Sequence, residues 1–360
     1  MATYDPGLPL GRADAARDRL LDGGQVHWGD RALRIFCTGA VFVPALFLVV
    51  LAVVMLVNAW PAIIFNGPGF LSGKIWTLGH LYSLVPGQAP AVQHRHGIVA
   101  PKGAEYGTAT LLVGTLASSI IALIFALPIA VGGVLFLVER VPVRLQGILS
   151  IFLELLAGIP SVVYGLWGLT VFGPLAAEHV YPTLARVLGW TVVFRGPVGS
   201  GPGLFTAGLV LALMVIPIIA ATTRDLVRTV PVLHKEGALA LGMTRYEMIR
   251  VVTIPFVRDG IAAATLLGWG RALGETMAVL LISGDALNVY PHSIYSPIST
   301  IAATIASQLD SAFTDTTGMA IHSLAEAGLL LLVITLLTNW LGRLIVRRSS
   351  GGALPVGRGF

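Results

Sequence analysis

An all-α protein that crosses a lipid bilayer six times is the fold class this sequence predicts, on three observations. Charged residues make up 11% of the 360-residue chain and hydrophobic ones 55%, with a mean hydropathy of +0.83. Soluble chains carry roughly 25% charged residues, so these charges are too few to cover a water-exposed globule. Six apolar runs are each long enough for the ~20 helical residues that a ~30 Å hydrocarbon core requires. Between them lie polar, Gly- and Pro-rich stretches over which Lys and Arg are unevenly shared.

Residues 1–32 mix Asp5, Asp14, Asp18 and Asp22 with Arg12, Arg17 and Arg19. They read as a polar cytoplasmic tail rather than a signal peptide, because no cleavage pattern follows a short apolar core. The membrane domain is expected over 33–346. Span one covers 33–59, closed by Trp60-Pro61 at an interface. Span two covers 108–138, bent at Pro128, with Gly114, Ser118, Ala122 and Ala126 recurring every four residues as a smooth packing face. Span three covers 146–172 and span four 204–222. Span five covers 261–283, and span six covers 324–346 before Arg347-Arg348. Outer loops are expected at 60–107, 175–203 and 284–322, the last with a short interfacial helix over 298–309. A basic loop is expected at 223–260 and a polar tail at 347–360.

Six spans place both termini on one side, and positive charge says which. Of the 23 Lys and Arg, only Lys74, Arg95, Lys102, Arg186 and Arg195 fall on the far side, and Arg271 falls within a span. The excess on the other side predicts cytoplasmic termini in a multi-pass bacterial inner-membrane protein. The net charge of +5 is thus a topology signal and not a nucleic-acid footprint, since no basic stripe carries interleaved aromatics. Cys37 is alone, which excludes disulfides and cysteine metal sites. His94-Arg95-His96 lacks further ligands for a metal. Gly73-Lys74 is no phosphate loop, with Pro68 in place of the first Gly and Ile75 in place of Ser/Thr. Neither a nucleophile elbow nor a zinc-helix motif occurs, so the chain is read as a non-enzyme without cofactors.

Two spans contain chemistry that oil disfavours. Arg271 and Glu275 lie in Trp269-Gly270-Arg271-Ala272-Leu273-Gly274-Glu275-Thr276. A mid-span charge costs about 2.5–3.5 kcal/mol, so it faces a cavity or a partner. Spacing of four puts both on one helix face within pairing reach, and Gly270 and Gly274 allow a close approach there. Arg271 offers a planar fork of donors suited to an oxyanion, while a structural salt bridge is the plainer alternative. In span three, Pro160 removes a backbone donor between Gly158 and Gly165. Ser161 and Tyr164 either present hydroxyls to a passing anion or simply flank a packing kink. Glu154 either partners an arginine or lies near the interface.

Between spans four and five, Glu236 to Leu241 is long enough for a short helix, with Gly242 placed for a left-handed cap. Arg224, Arg228, Lys235, Arg245, Arg250 and Arg258 surround it. A short helix on a basic cytoplasmic loop is shaped to be gripped by a soluble partner. This stretch resembles the E-A-A, three residues, G, nine residues, I-x-L-P loop of ATP-binding-cassette importer permeases. Glu236, Ala238, Gly242 and Pro255 are in register, while Gly237 replaces the first Ala, Val252 the Ile and Ile254 the Leu. Residues 156–167 and 270–279 further resemble permeases of the bacterial phosphate-specific importer, the C-type subunit more than its A-type partner.

The resemblance, over roughly residues 105–345, implies the type I importer permease fold. It also implies an A-type permease partner, two copies of a cytoplasmic ATPase that binds the ATP, and an extracytoplasmic phosphate-binding protein. It makes Arg271 and Glu275, with Thr276, Ser161 and Tyr164, the expected substrate pathway. Glu236, Gly237, Ala238, Gly242 and Pro255 become the expected ATPase coupling positions. Permeases for sulfate, molybdate or phosphonate remain alternatives, as does a secondary transporter that works without ATP.

Overall fold

The computed structural model describes residues 28–82 and 89–349. The acidic and basic positions of the N-terminal tail up to residue 27, and Arg358, lie outside them. Two units are separated at Val54/Met55. In the first, the described residues form one helix whose large apolar side chains, Phe36, Phe42 and Phe47 among them, are exposed. That exposure suits a lipid-facing surface.

The helix containing them, α1, runs Trp28–Asn66 and does not stop at Trp60-Pro61 as the sequence suggested. A membrane helix tolerates a proline whose missing N–H leaves one carbonyl to be satisfied elsewhere. The actual stop is Gly67, in the left-handed region at φ 55°, with its N–H on Ile63 O at 3.0 Å and Pro68 after it. A short α2 (Gly69–Ser72) follows, then β1 (Trp76–Thr77), β2 (Val92–Arg95), β3 (Ile98–Pro101) and β4 (Glu105–Tyr106). β1 pairs antiparallel with β4 and β2 with β3, the latter through a two-residue His96-Gly97 turn. Both turn residues have positive φ, 50° and 79°, as a primed hairpin turn demands. The described residues of 60–107 are therefore the end of a helix and a small folded lobe, not a plain loop.

The core is built on α3 (Ala109–Glu139) packed against α6 (Leu204–Arg228). The four-residue stripe performs as its spacing implies: Gly114, Ser118, Ala122 and Ala126 are all buried, and it continues through Ala130 and Val134. A Cβ on Gly208 of α6 would lie 2.4 Å from Ile121 Cγ2, so the two helices meet almost backbone to side chain there. The helix passes through Pro128 unbroken.

Span three departs most from its predicted limits. α4 (Val143–Gly158) ends at Ile159-Pro160, and α5 (Ser161–Leu188) leaves at 88° to it. α5 contains two π-helical turns, Gly168–Phe172 and Ala176–Val180, so the expected loop at 175–203 shrinks to 189–203. After α6 and α7 (Val232–Ala240), helix α8 (Arg245–Leu273) begins within the expected basic loop and includes a π turn at Ile249–Thr253. α9 (Met277–Ile282) follows after a break. The expected interfacial helix is α10 (Ile301–Phe313), capped by Thr300, whose side chain accepts from Ala303 N at 3.2 Å. Ile301, Ala302, Ala303 and Thr304 are buried against the bundle, so it is a packed helix rather than one floating at an interface. α11 (Met319–Ser349) runs straight through Arg347-Arg348, because arginine is a good helix former and ends no helix by itself. Among the described residues, five helices are long and apolar enough to cross a membrane, six if the bent α4–α5 pair is counted as one span.

Candidate functional site

Proline chemistry explains the bend in span three. In a continuous helix the carbonyl of Leu156 would accept from the N–H of residue 160, and Pro160 has none. Ile159, as a pre-proline residue, is pushed into extended backbone at φ −69°, ψ 128°. The Tyr164 hydroxyl donates to Leu156 O at 2.9 Å and replaces the lost donor. Its proton is thereby committed to the kink, and of the two readings open for Tyr164 the structural one fits the geometry. Ser161 opens α5, half-buried.

Span five breaks without a proline. α8 ends at Leu273, Gly274 caps it with its N–H on Arg271 O at 3.2 Å, and Thr276 precedes α9. Arg271 thus sits in the last turn of α8 and Glu275 in the break itself. Four-residue spacing pairs side chains only along one continuous helix. Accordingly, among the described residues, neither Arg271 nor Glu275 forms an ion pair. Arg271 is exposed on this chain; Glu275 and Thr276 are half-buried.

The two breaks are neighbours. A Cβ on Gly165, one turn beyond Pro160, would lie 2.8 Å from Ala278 Cα, just after the break in span five. One turn further, Gly168 lies against Ile282. Within this chain no helix presses on Gly270 or Gly274: a Cβ at Gly270 would find Asn339 only at ordinary contact, 3.7 Å, and one at Gly274 only its own turn. The close approach inside the chain is at Gly268, against Val215 and Ile219 of α6. Trp269 Nε1 ties the end of α8 to Ser119 Oγ of α3 at 3.1 Å. The Arg271 guanidinium is thus left exposed, and without an ion pair among the described residues, at the end of α8, next to the break in span five.

The second arrangement is α7. The predicted cap is a Schellman motif: Met243 N–H bonds Ala238 O at 3.2 Å, Gly242 N–H bonds Leu239 O at 3.0 Å, and Gly242 has φ 83°. Ala238 is buried; Glu236, Gly237, Leu233 and Leu241 are exposed. Thr244 then starts α8 with a reciprocal capping box with Glu247. Pro255 stands near the start of the regular α-helical part of α8, just after the π turn, where its missing N–H costs little. Sequence reasoning missed what holds α7. Lys235 Nζ lies 2.6 Å from Glu139 Oε1, with side chains 16% and 9% exposed, at the end of α3. Arg245 donates to the Glu139 carbonyl at 3.3 Å, a cation at a helix C-terminus. Glu154, left open by the sequence, pairs with Arg224 at 3.2 Å.

Comparison with known proteins fits this geometry. Residues 111–351 match the family described as binding-protein-dependent transport system inner membrane component. The chain is 50% identical over 347 residues to phosphate transport system permease protein PstC 1 of Mycobacterium tuberculosis, covering 95% of this chain and all of that one. It is 39% identical to PstC of Haemophilus influenzae, over 86% and 91% of the two chains. A bacterial ABC transporter for import of the acidic polysaccharide alginate aligns at TM-score 0.49 and 18% identity, over 66% of this chain and 78% of that one. The chain therefore belongs to the binding-protein-dependent transport system inner membrane components and, among them, to the PstC-type permeases.

Proposed function

We propose that the chain is the C-type permease subunit of an ATP-driven importer that moves inorganic phosphate into the cytoplasm by alternating access. The 50% identity to a phosphate permease over nearly the full chain supports the substrate. The observation that carries the mechanism is α7, which leaves an open face around Glu236 and Gly237 while Lys235 locks it to α3. A helix offered to a partner and fastened to a membrane span can convert the partner's movement into tilt of that span.

In this reading two cytoplasmic ATPase copies bind the ATP, one of them seated on α7. An A-type permease completes the membrane pathway, and an extracytoplasmic binding protein delivers phosphate to the outer lobe. Both termini are cytoplasmic. Arg271, with Glu275, Thr276 and Ser161 nearby, supplies donors to phosphate while it is away from water, where an unpaired charge is costly. Tyr164 holds the bend that shapes this passage.

The test uses the assembled transporter in proteoliposomes. Phosphate should stimulate ATP hydrolysis and accumulate inside, with sulfate, molybdate and phosphonate competing poorly. Arg271→Ala should abolish uptake while complex assembly and basal hydrolysis persist. Normal uptake by Arg271→Ala would remove the substrate role, and uptake without any ATPase would favour a secondary transporter.

A further inference from the structure

The small lobe between α1 and α3 surrounds a cavity of about 430 Å³, within the range typical of ligand pockets. Its lining includes Lys74, Arg95, Glu105 and Tyr106. Among the described residues, none of the three charged side chains forms an ion pair, although opposite charges share one cavity. Each cation instead lies over an aromatic ring: Lys74 Nζ 5.3 Å from the centre of Tyr290, and Arg95 Cζ 5.9 Å from that of Phe65. Such placement holds a cation without quenching its charge.

The walls are rigid. A Cβ on Gly107 would lie 2.3 Å from the Gly73 carbonyl carbon, so these two backbones already touch. Tyr106 is only 3% exposed, fixed by pairing with Trp76 across β1 and β4, with its hydroxyl toward Ser323 and Asp315. Burial, and after it the negative charge of Asp315, push this phenol up from its ordinary pKa against the opposing Ser323 hydrogen bond, so it stays neutral in the cavity wall. Asn66 also lines the cavity, with its amide given to Glu326 at 2.8 Å.

Two cations against one carboxylate call for a guest that is negative overall. Glu105, an acceptor only when ionised, calls for a guest that also carries a proton to donate. Orthophosphate near neutral pH satisfies both demands. Sulfate, fully deprotonated, satisfies only the first and meets Glu105 as a like charge. We propose that this cavity binds a proton-bearing oxyanion of the orthophosphate class, at a site separate from Arg271 that does not depend on the role assigned to Arg271.

The experiment uses the assembled complex in lipid nanodiscs, carrying Arg271→Ala to silence the membrane position, without binding protein. Equilibrium binding of radiolabelled orthophosphate should be saturable. Either Lys74→Gln or Arg95→Gln should weaken it about tenfold, as loss of one charge-assisted hydrogen bond does. Sulfate should compete poorly, and Glu105→Gln should make it compete at least tenfold better. Lys74 is exposed, so its substitution leaves the lobe folded, and an unchanged melting temperature checks this. Binding that is absent, or insensitive to both cation substitutions, overturns the proposal. So does sulfate competition unaltered by Glu105→Gln.

Discussion

Single side chains decide where this membrane protein is allowed to be irregular. Pro160 breaks span three, and Tyr164 repairs the break with one hydrogen bond to Leu156. Tyr164→Phe removes only that donor, so it should destabilise the permease by about 1 kcal/mol, the usual net worth of such a bond. Thermal unfolding of the complex measures this, and an unchanged midpoint with normal uptake would mean the bend stands without it. The position was readable in the sequence, because proline has a fixed chemical consequence. The partner was not, since a tyrosine eight residues after the carbonyl it serves has no periodic signature. Arg271 shows the opposite failure. Its place in an apolar run was legible, but pairing it with Glu275 assumed a continuous helix, and that helix ends at Leu273, capped by Gly274, between them.

At the scale of elements, α7 was the best-read part of the chain. Gly242 demanded the left-handed cap that the structure contains, and the flanking charges marked a polar surface. What fastens α7 was hidden, because Lys235 and Glu139 are 96 residues apart and no local pattern relates them. Lys235→Met leaves Glu139 largely buried without its cation, an arrangement that costs far more than an exposed pair is worth. The expected outcome is loss of uptake with ATP hydrolysis retained, read as moles transported per mole hydrolysed. Exchanging the two residues, Glu139→Lys with Lys235→Glu, should recover part of that ratio. An unchanged ratio in Lys235→Met would show that the pair serves stability alone. The extents of α5 and α8 were misjudged for a related reason. Hydropathy sees the apolar centre of a helix, whereas π turns and capped polar extensions carry it well beyond that centre.

For the molecule as a whole, composition and positive charge sufficed for the class, because lipid permits so few ways of satisfying a backbone. The folded lobe formed by 67–82 and 89–107 was not foreseen, since short strands of two to four residues barely alternate. The packing of α3 on α6 was foreseen in outline: a stripe of small residues predicts that something approaches, without saying what. Gly208→Val would drive a branched side chain into Ile121 at the tightest point of this seam. Overpacking of that kind costs typically 1–3 kcal/mol. Uptake should fall more steeply than protein abundance does, by quantitative immunoblot beside transport; equal losses would make the seam merely a matter of folding.

That seam has a mechanical meaning. α7 leaves the end of α6 after three residues and is clasped to the end of α3. A force applied at α7 by the proposed ATPase would therefore be received by two tightly keyed rods at once, which resist sliding past each other and so would swing together. Compliance has to be found elsewhere, and the two interrupted spans, touching at Gly165 and Ala278, are where this chain can yield. The permease would then work as a stiff lever turning on a jointed pair.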